Sequence, residues 1–128
     1  MNDRLRSLLP WLLLAMLLLG GNGGKASGEL DVLIIEDIQA RASLPIEQLA
    51  ILTSESDASV ISWLKTNART WRIADDETDF SADDEAIQRL AIDKPKSLPW
   101  LSAARGNRKI SEPLPKDTAK TLQRLKGM

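Results

Sequence analysis

Leu98-Pro99-Trp100-Leu101-Ser102-Ala103-Ala104-Arg105-Gly106-Asn107-Arg108-Lys109-Ile110-Ser111-Glu112 contains a proline, an apolar run, a glycine-first pair and a second short run. A two-residue connection that begins with glycine suits a type II′ turn, because glycine takes the positive φ required at the first central position. The stretch is expected to form a hairpin, with one strand over 99–104 and the other over 108–112. Downstream come Pro113-Leu114-Pro115 and then Asp117, placed to cap a closing helix. That helix would turn Thr118, Leu122 and Leu125 inward and end at Gly127.

Upstream, Leu30 to Glu36 (LDVLIIE) is a nearly continuous apolar run rich in β-branched residues. Such a run fits a strand buried on both faces. Asp37 to Ala42 reads as a polar connection. Pro45 then falls in the first turn of a helix, where its missing N–H costs little. Ile46, Leu49, Ala50 and Thr53 follow at helical spacing and mark the expected buried face. Weak helix formers at 53–56 interrupt the pattern, which resumes with Asp57 as cap and Val60, Ile61 and Leu64 as stripe, stopping near Asn67. This is two helical pieces or one kinked helix. Thr70 to Ala74 alternates Trp71 and Ile73 with polar neighbours, a strand signal. An acidic loop, Asp75 to Asp79, precedes a helix expected to be capped by Ser81, with acids in its first turn and Ala86, Ile87, Leu90 and Ala91 buried. The order is β-α-β-α-β-β-α. Its first half is a βαβ unit with parallel strands. The expected fold class is α/β: a four-stranded mixed sheet in order 2-1-3-4, the third strand antiparallel to the first, with helices on both faces.

Over about residues 30–126 this order resembles the minimal thioredoxin fold, and Ser97-Leu98-Pro99-Trp100-Leu101 carries the best local likeness. In thioredoxin-like proteins a cis-proline opens the third strand at this place, before apolar residues and a glycine-containing turn. The resemblance implies a cis Leu98–Pro99 bond beside a groove where an extended partner pairs with the backbone. Together with Pro113-Leu114-Pro115, the same stretch resembles small secreted bacterial members of this class. The departure lies in the chemistry. The family's Cys-x-x-Cys follows the first strand, and the equivalent segment here, Asp37 to Pro45 (DIQARASLP), has no thiol. Reductase, oxidase, isomerase and peroxidase activities are not carried over, since each needs a thiolate.

The 128-residue chain has no cysteine and no histidine. Disulfides, imidazole acid/base catalysis and nearly all zinc and copper sites are therefore excluded. With 17 basic and 18 acidic residues, the net charge of −1 offers no basic stripe for nucleic acid. At the N-terminus, Arg4 and Arg6 precede an apolar stretch from Leu8 to Leu19, glycines at 20–24 and Ala26-Ser27-Gly28 before Glu29. This pattern is that of a secretory signal and glycine-rich linker over 1–28, cleaved after Gly28, with the thioredoxin-like domain over 29–128. The expected location is secreted or periplasmic. The apolar stretch is short for a spanning helix, and retention as a membrane anchor is the alternative.

The candidate binding groove comprises Leu98, Pro99 and Trp100 together with Asp37 and Ser43. No catalytic residue, metal or cofactor is expected. Asp75, Glu77 and Asp79 match the first positions of a calcium loop, but Phe80 stands where glycine is needed and Ala86 where a bidentate glutamate is needed. Glu36 and Asp37 are adjacent, so an extended chain points them to opposite faces, which disfavours a carboxylate pair. The serines lack a histidine partner, and a dyad of serine with Lys65 has no supporting motif. Trp63, Trp71 and Trp100 sit beside apolar stripes and read as core or half-core. The sequence thus points to a redox-inactive, extracytoplasmic binding or interaction module with a protein or peptide partner. The alternatives are a non-thiol enzyme on the same scaffold and a membrane-tethered accessory subunit.

Overall fold

Leu30–Glu36 (β1) is buried at every position, which follows from its central place in a sheet covered on both faces. The computed structural model describes residues 29–128; the expectations for the signal, linker and anchor fall on residues 1–28 and lie outside them. After β1 the chain forms a short 3-10 helix, Ile38–Ser43. Two α-helices follow, Ile46–Thr53 (α1) and Val60–Asn67 (α2), then Ala68–Asp75 (β2). A 3-10 turn at Phe80–Ala82 leads to Glu85–Ala91 (α3). Trp100–Arg105 (β3), Arg108–Pro113 (β4) and Thr118–Lys126 (α4) complete the chain.

The sheet order is β2-β1-β3-β4, with β1 parallel to β2 and antiparallel to β3; β1 thus lies in the interior of the sheet, as its apolar pattern implies. Alternation along β1 splits the core in two. Leu30, Val32 and Ile34 pack with Ile51, Leu52, Val60, Leu64 and Leu125 from α1, α2 and α4. Leu33 and Ile35 pack with Ile87 and Leu90 from α3 on the other face. Helices thus cover both sides of the sheet. The hairpin turns at Gly106, whose φ is 61°, and Arg105 pairs with Arg108. Asn107 keeps a negative φ, so the signs are those of a type II′ turn and not of type I′.

Three local expectations are corrected. The buried residues of α1 are Gln48, Ile51 and Leu52, and Ile46 is 81% exposed. The cap of α2 is Ser59, whose hydroxyl accepts from the Ser62 N–H, and not Asp57. The helix expected from Ser81 starts at Glu85 with Asp84 as cap, because Asp79 first caps the 3-10 turn. Asp117 does cap α4, accepting from the Lys120 N–H at 2.8 Å. Among the described residues no helix is long and apolar enough to cross a membrane.

Candidate functional site

The C-terminal ends of β1 and β2 and the start of β3 meet at one end of the sheet, since Ile35 pairs with both Ala74 and Trp100. The chain leaves β1 there through Glu36 and Asp37. Glu36 is 1% exposed, and a buried carboxylate needs a partner. Arg41, five residues on and brought back by the 3-10 helix, supplies a two-point bond from Nε and Nη2 at 2.8 and 2.5 Å. The Glu36 carboxylate holds the Arg41 guanidinium above its ordinary pKa, against the smaller opposing effect of desolvation. Asp37 caps the 3-10 helix by accepting from the Gln39 N–H.

Asp75, at the end of β2, stitches this corner to its neighbour. Its Oδ1 accepts from the Ile38 N–H at 2.9 Å and its Oδ2 from the Glu77 N–H at 3.1 Å. Those two bonds, that from Ile38 first, hold the Asp75 carboxyl below its usual range. The Asp76 N–H donates to the Glu36 carbonyl at 2.8 Å. Carboxylate oxygens of Asp37, Asp75 and Asp76 lie within 4.8 Å of one another. Asp37 and Asp75 already accept backbone N–H bonds, and Asp76 is exposed.

Opposite stands the segment before β3. The Leu98–Pro99 bond is cis, as expected from the place of Pro99. The Pro99 carbonyl accepts from the Leu114 N–H at 3.0 Å, which ties this turn to the end of the hairpin. Between the two sides lies a cavity of about 160 Å³ lined by Glu36, Asp37, Ala40, Leu44, Leu98 and Pro99. Its walls are mainly apolar, and both carboxylates on it are engaged, Glu36 by Arg41 and Asp37 by Gln39. Leu98 is 37% exposed and Ile38, beside Asp37, 50%.

Of the groove residues expected from sequence, Asp37, Leu98 and Pro99 converge on this cavity. Ser43 is exposed at the far end of the 3-10 helix and is not among the lining residues. Trp100 is 6% exposed, and its indole N–H donates to the Ser111 hydroxyl at 3.0 Å on the neighbouring strand; it braces β3 against β4. Ala40, Leu44 and Glu36 were not expected in the lining. Glu36 carried a readable sign, a charged residue ending an otherwise apolar buried strand. Comparison with protein-family models, with curated proteins and with solved structures found no match to this chain.

Proposed function

We propose that the protein is a redox-inactive, thioredoxin-like binding module, exported from the cytoplasm, that holds an extended peptide or protein segment beside Pro99. The observation that carries this reading is the cavity between the 3-10 helix after β1 and the turn before β3. Four of its six lining residues are apolar and its two carboxylates are committed to partners of their own. A general acid or base is poised to exchange a proton with substrate, whereas Glu36 is held in a buried ion pair and Asp37 serves as a helix cap; a recognition pocket presents apolar walls and a few fixed polar groups of this kind. The thioredoxin-like resemblance adds the place of the cis-proline and the strand order. Thiol–disulfide exchange is excluded by composition, since the chain has no cysteine.

The test is selection of binders from a displayed library of extended peptides, mapped by amide chemical shifts on the labelled protein. The expected result is a set of shifts at Ile38, Ala40, Leu44 and Leu98, with binding weakened by Leu98→Ala. Selected peptides that shift only residues of α2 and α4, or that ignore Leu98→Ala, would overturn the assignment. Export is tested separately: N-terminal sequencing of the exported protein is expected to begin at Glu29.

A further inference from the structure

Resting on that groove reading, we propose that the bound segment is basic and aliphatic: an aliphatic side chain enters the cavity, and a lysine or arginine two residues from it meets Asp37, Asp75 and Asp76. Asp37 belongs to both features, lining the cavity and lying within 4.8 Å of the other two carboxylates. Residues two apart on a strand share a side, so a peptide beside Pro99 presents both groups to this face at that spacing.

Among the described residues, no basic side chain compensates the charge of this rim. No lysine or arginine among them pairs with Asp37, Asp75 or Asp76, although Glu29, Asp31, Glu36, Glu55, Asp83, Glu85, Asp93 and Glu112 all have such partners. The floor of the cavity is different, because Glu36 is neutralised there by Arg41. A basic group therefore gains at the rim, where it stays hydrated, and would lose in the floor, where burial of a second cation is costly. An aliphatic group suits the apolar walls and extends the exposed surfaces of Leu98 and Ile38. Charge complementarity of this kind selects partners and repels acidic ones. The Asp75 carboxylate stays ionised into the acid range, held down by the N–H groups of Ile38 and Glu77.

The test uses the purified full chain and three dye-labelled hexapeptides read by fluorescence anisotropy, glycine-based and differing at two positions that are two residues apart: leucine and lysine, leucine and glutamate, and glycine and lysine. The leucine–lysine peptide is expected to bind at least about fivefold more tightly than either other, the order expected from a few exposed ion pairs added to apolar contact. The double variant Asp75→Asn with Asp76→Asn, the milder Asp76→Asn alone and salt at about 0.5 M are each expected to reduce that preference, with circular dichroism confirming the fold. Equal binding of the leucine–lysine and leucine–glutamate peptides, weakened by Leu98→Ala, would overturn the charge assignment and leave the groove standing. A glycine–lysine peptide that binds as tightly as leucine–lysine and ignores Leu98→Ala would overturn the proposal by reducing the face to unspecific attraction. No binding of any of the three, while library-selected peptides still shift Leu98, would overturn the basic–aliphatic assignment alone; no Leu98-dependent peptide in either experiment would remove the groove as well.

Discussion

Gln48 lies on the buried face of α1, where a polar side chain is costly unless its hydrogen bonds are met. Its amide N–H groups meet the Leu114 and Pro115 carbonyls at 3.0 and 3.1 Å, fastening the helix to the segment before α4. Gln48→Ala is expected to lower stability by about 1–3 kcal/mol, because two carbonyls lose a donor and a hollow opens. The reading is a lower urea midpoint at unchanged slope. Ser102 is the opposite case. It is fully buried on β3, and its hydroxyl has no hydrogen-bond partner among the described residues. Ser102→Ala is expected to raise stability by up to about 1 kcal/mol, since a desolvated hydroxyl is removed at nearly constant shape. A lowered melting temperature would contradict this. The candidate site was legible at this scale only where a residue carries its own sign. Pro99 before an apolar run and Asp37 after one mark themselves. Ala40 and Leu44 sit in a polar stretch and gain meaning only when the 3-10 helix turns them to the cavity. The five-residue separation of Glu36 and Arg41 fits neither strand nor helix period, so their bond was invisible before the fold.

Among the elements, α1 shows how an apolar pattern misleads. Its residues at 46, 49, 50, 51 and 52 are all apolar, so two overlapping faces satisfy the helical period. The polar Gln48 argued against the face that is in fact buried. The structure resolves the ambiguity, and the consequence is measurable. Ile46→Gln is expected to change stability by less than about 0.5 kcal/mol, as exposed substitutions do, while Ile51→Ala costs about 2–5 kcal/mol. The reverse order in thermal melts would restore the face centred on Ile46. The junction between the 3-10 helix and β2 depends on Asp75, whose carboxyl is held below its usual range by the N–H groups of Ile38 and Glu77. A lowered folded value means the stabilisation is full above the unfolded pKa and is lost as pH falls through the folded one. Asp75→Asn is therefore expected to lower the denaturation midpoint at neutral pH. That difference should close as pH falls from about 5 toward about 2. A difference constant over that range would show that ionisation of Asp75 contributes nothing.

Across the whole molecule, β1 organises everything else, and its role was legible because LDVLIIE leaves neither face polar enough for water. Parallel pairing with β2 followed from the connection through two helices, and antiparallel pairing of β3 with β4 from the Gly106-Asn107 turn. The partition of helices between the two faces was not legible. A helical stripe says that a face is buried but not against which side of a sheet, so α3 alone on one side and α1, α2 and α4 on the other emerged only from the fold. This partition makes two cores that share β1 but no side chain: Ile51 belongs to one and Ile87 to the other, each at most 1% exposed. Ile51 and Ile87 pack on opposite faces of the sheet, so the sheet itself stands between them. Ile51→Val and Ile87→Val are each expected to cost about 0.5–1.5 kcal/mol. Substitutions without shared partners add to within about 0.5 kcal/mol, so the double variant should lose the sum. The check is a double-mutant cycle in urea with fluorescence and circular dichroism followed together, because coincident transitions are what license the addition. A loss well short of the sum, with coincident transitions, would mean the faces are coupled through β1. Transitions that separate would mean that one face unfolds before the other.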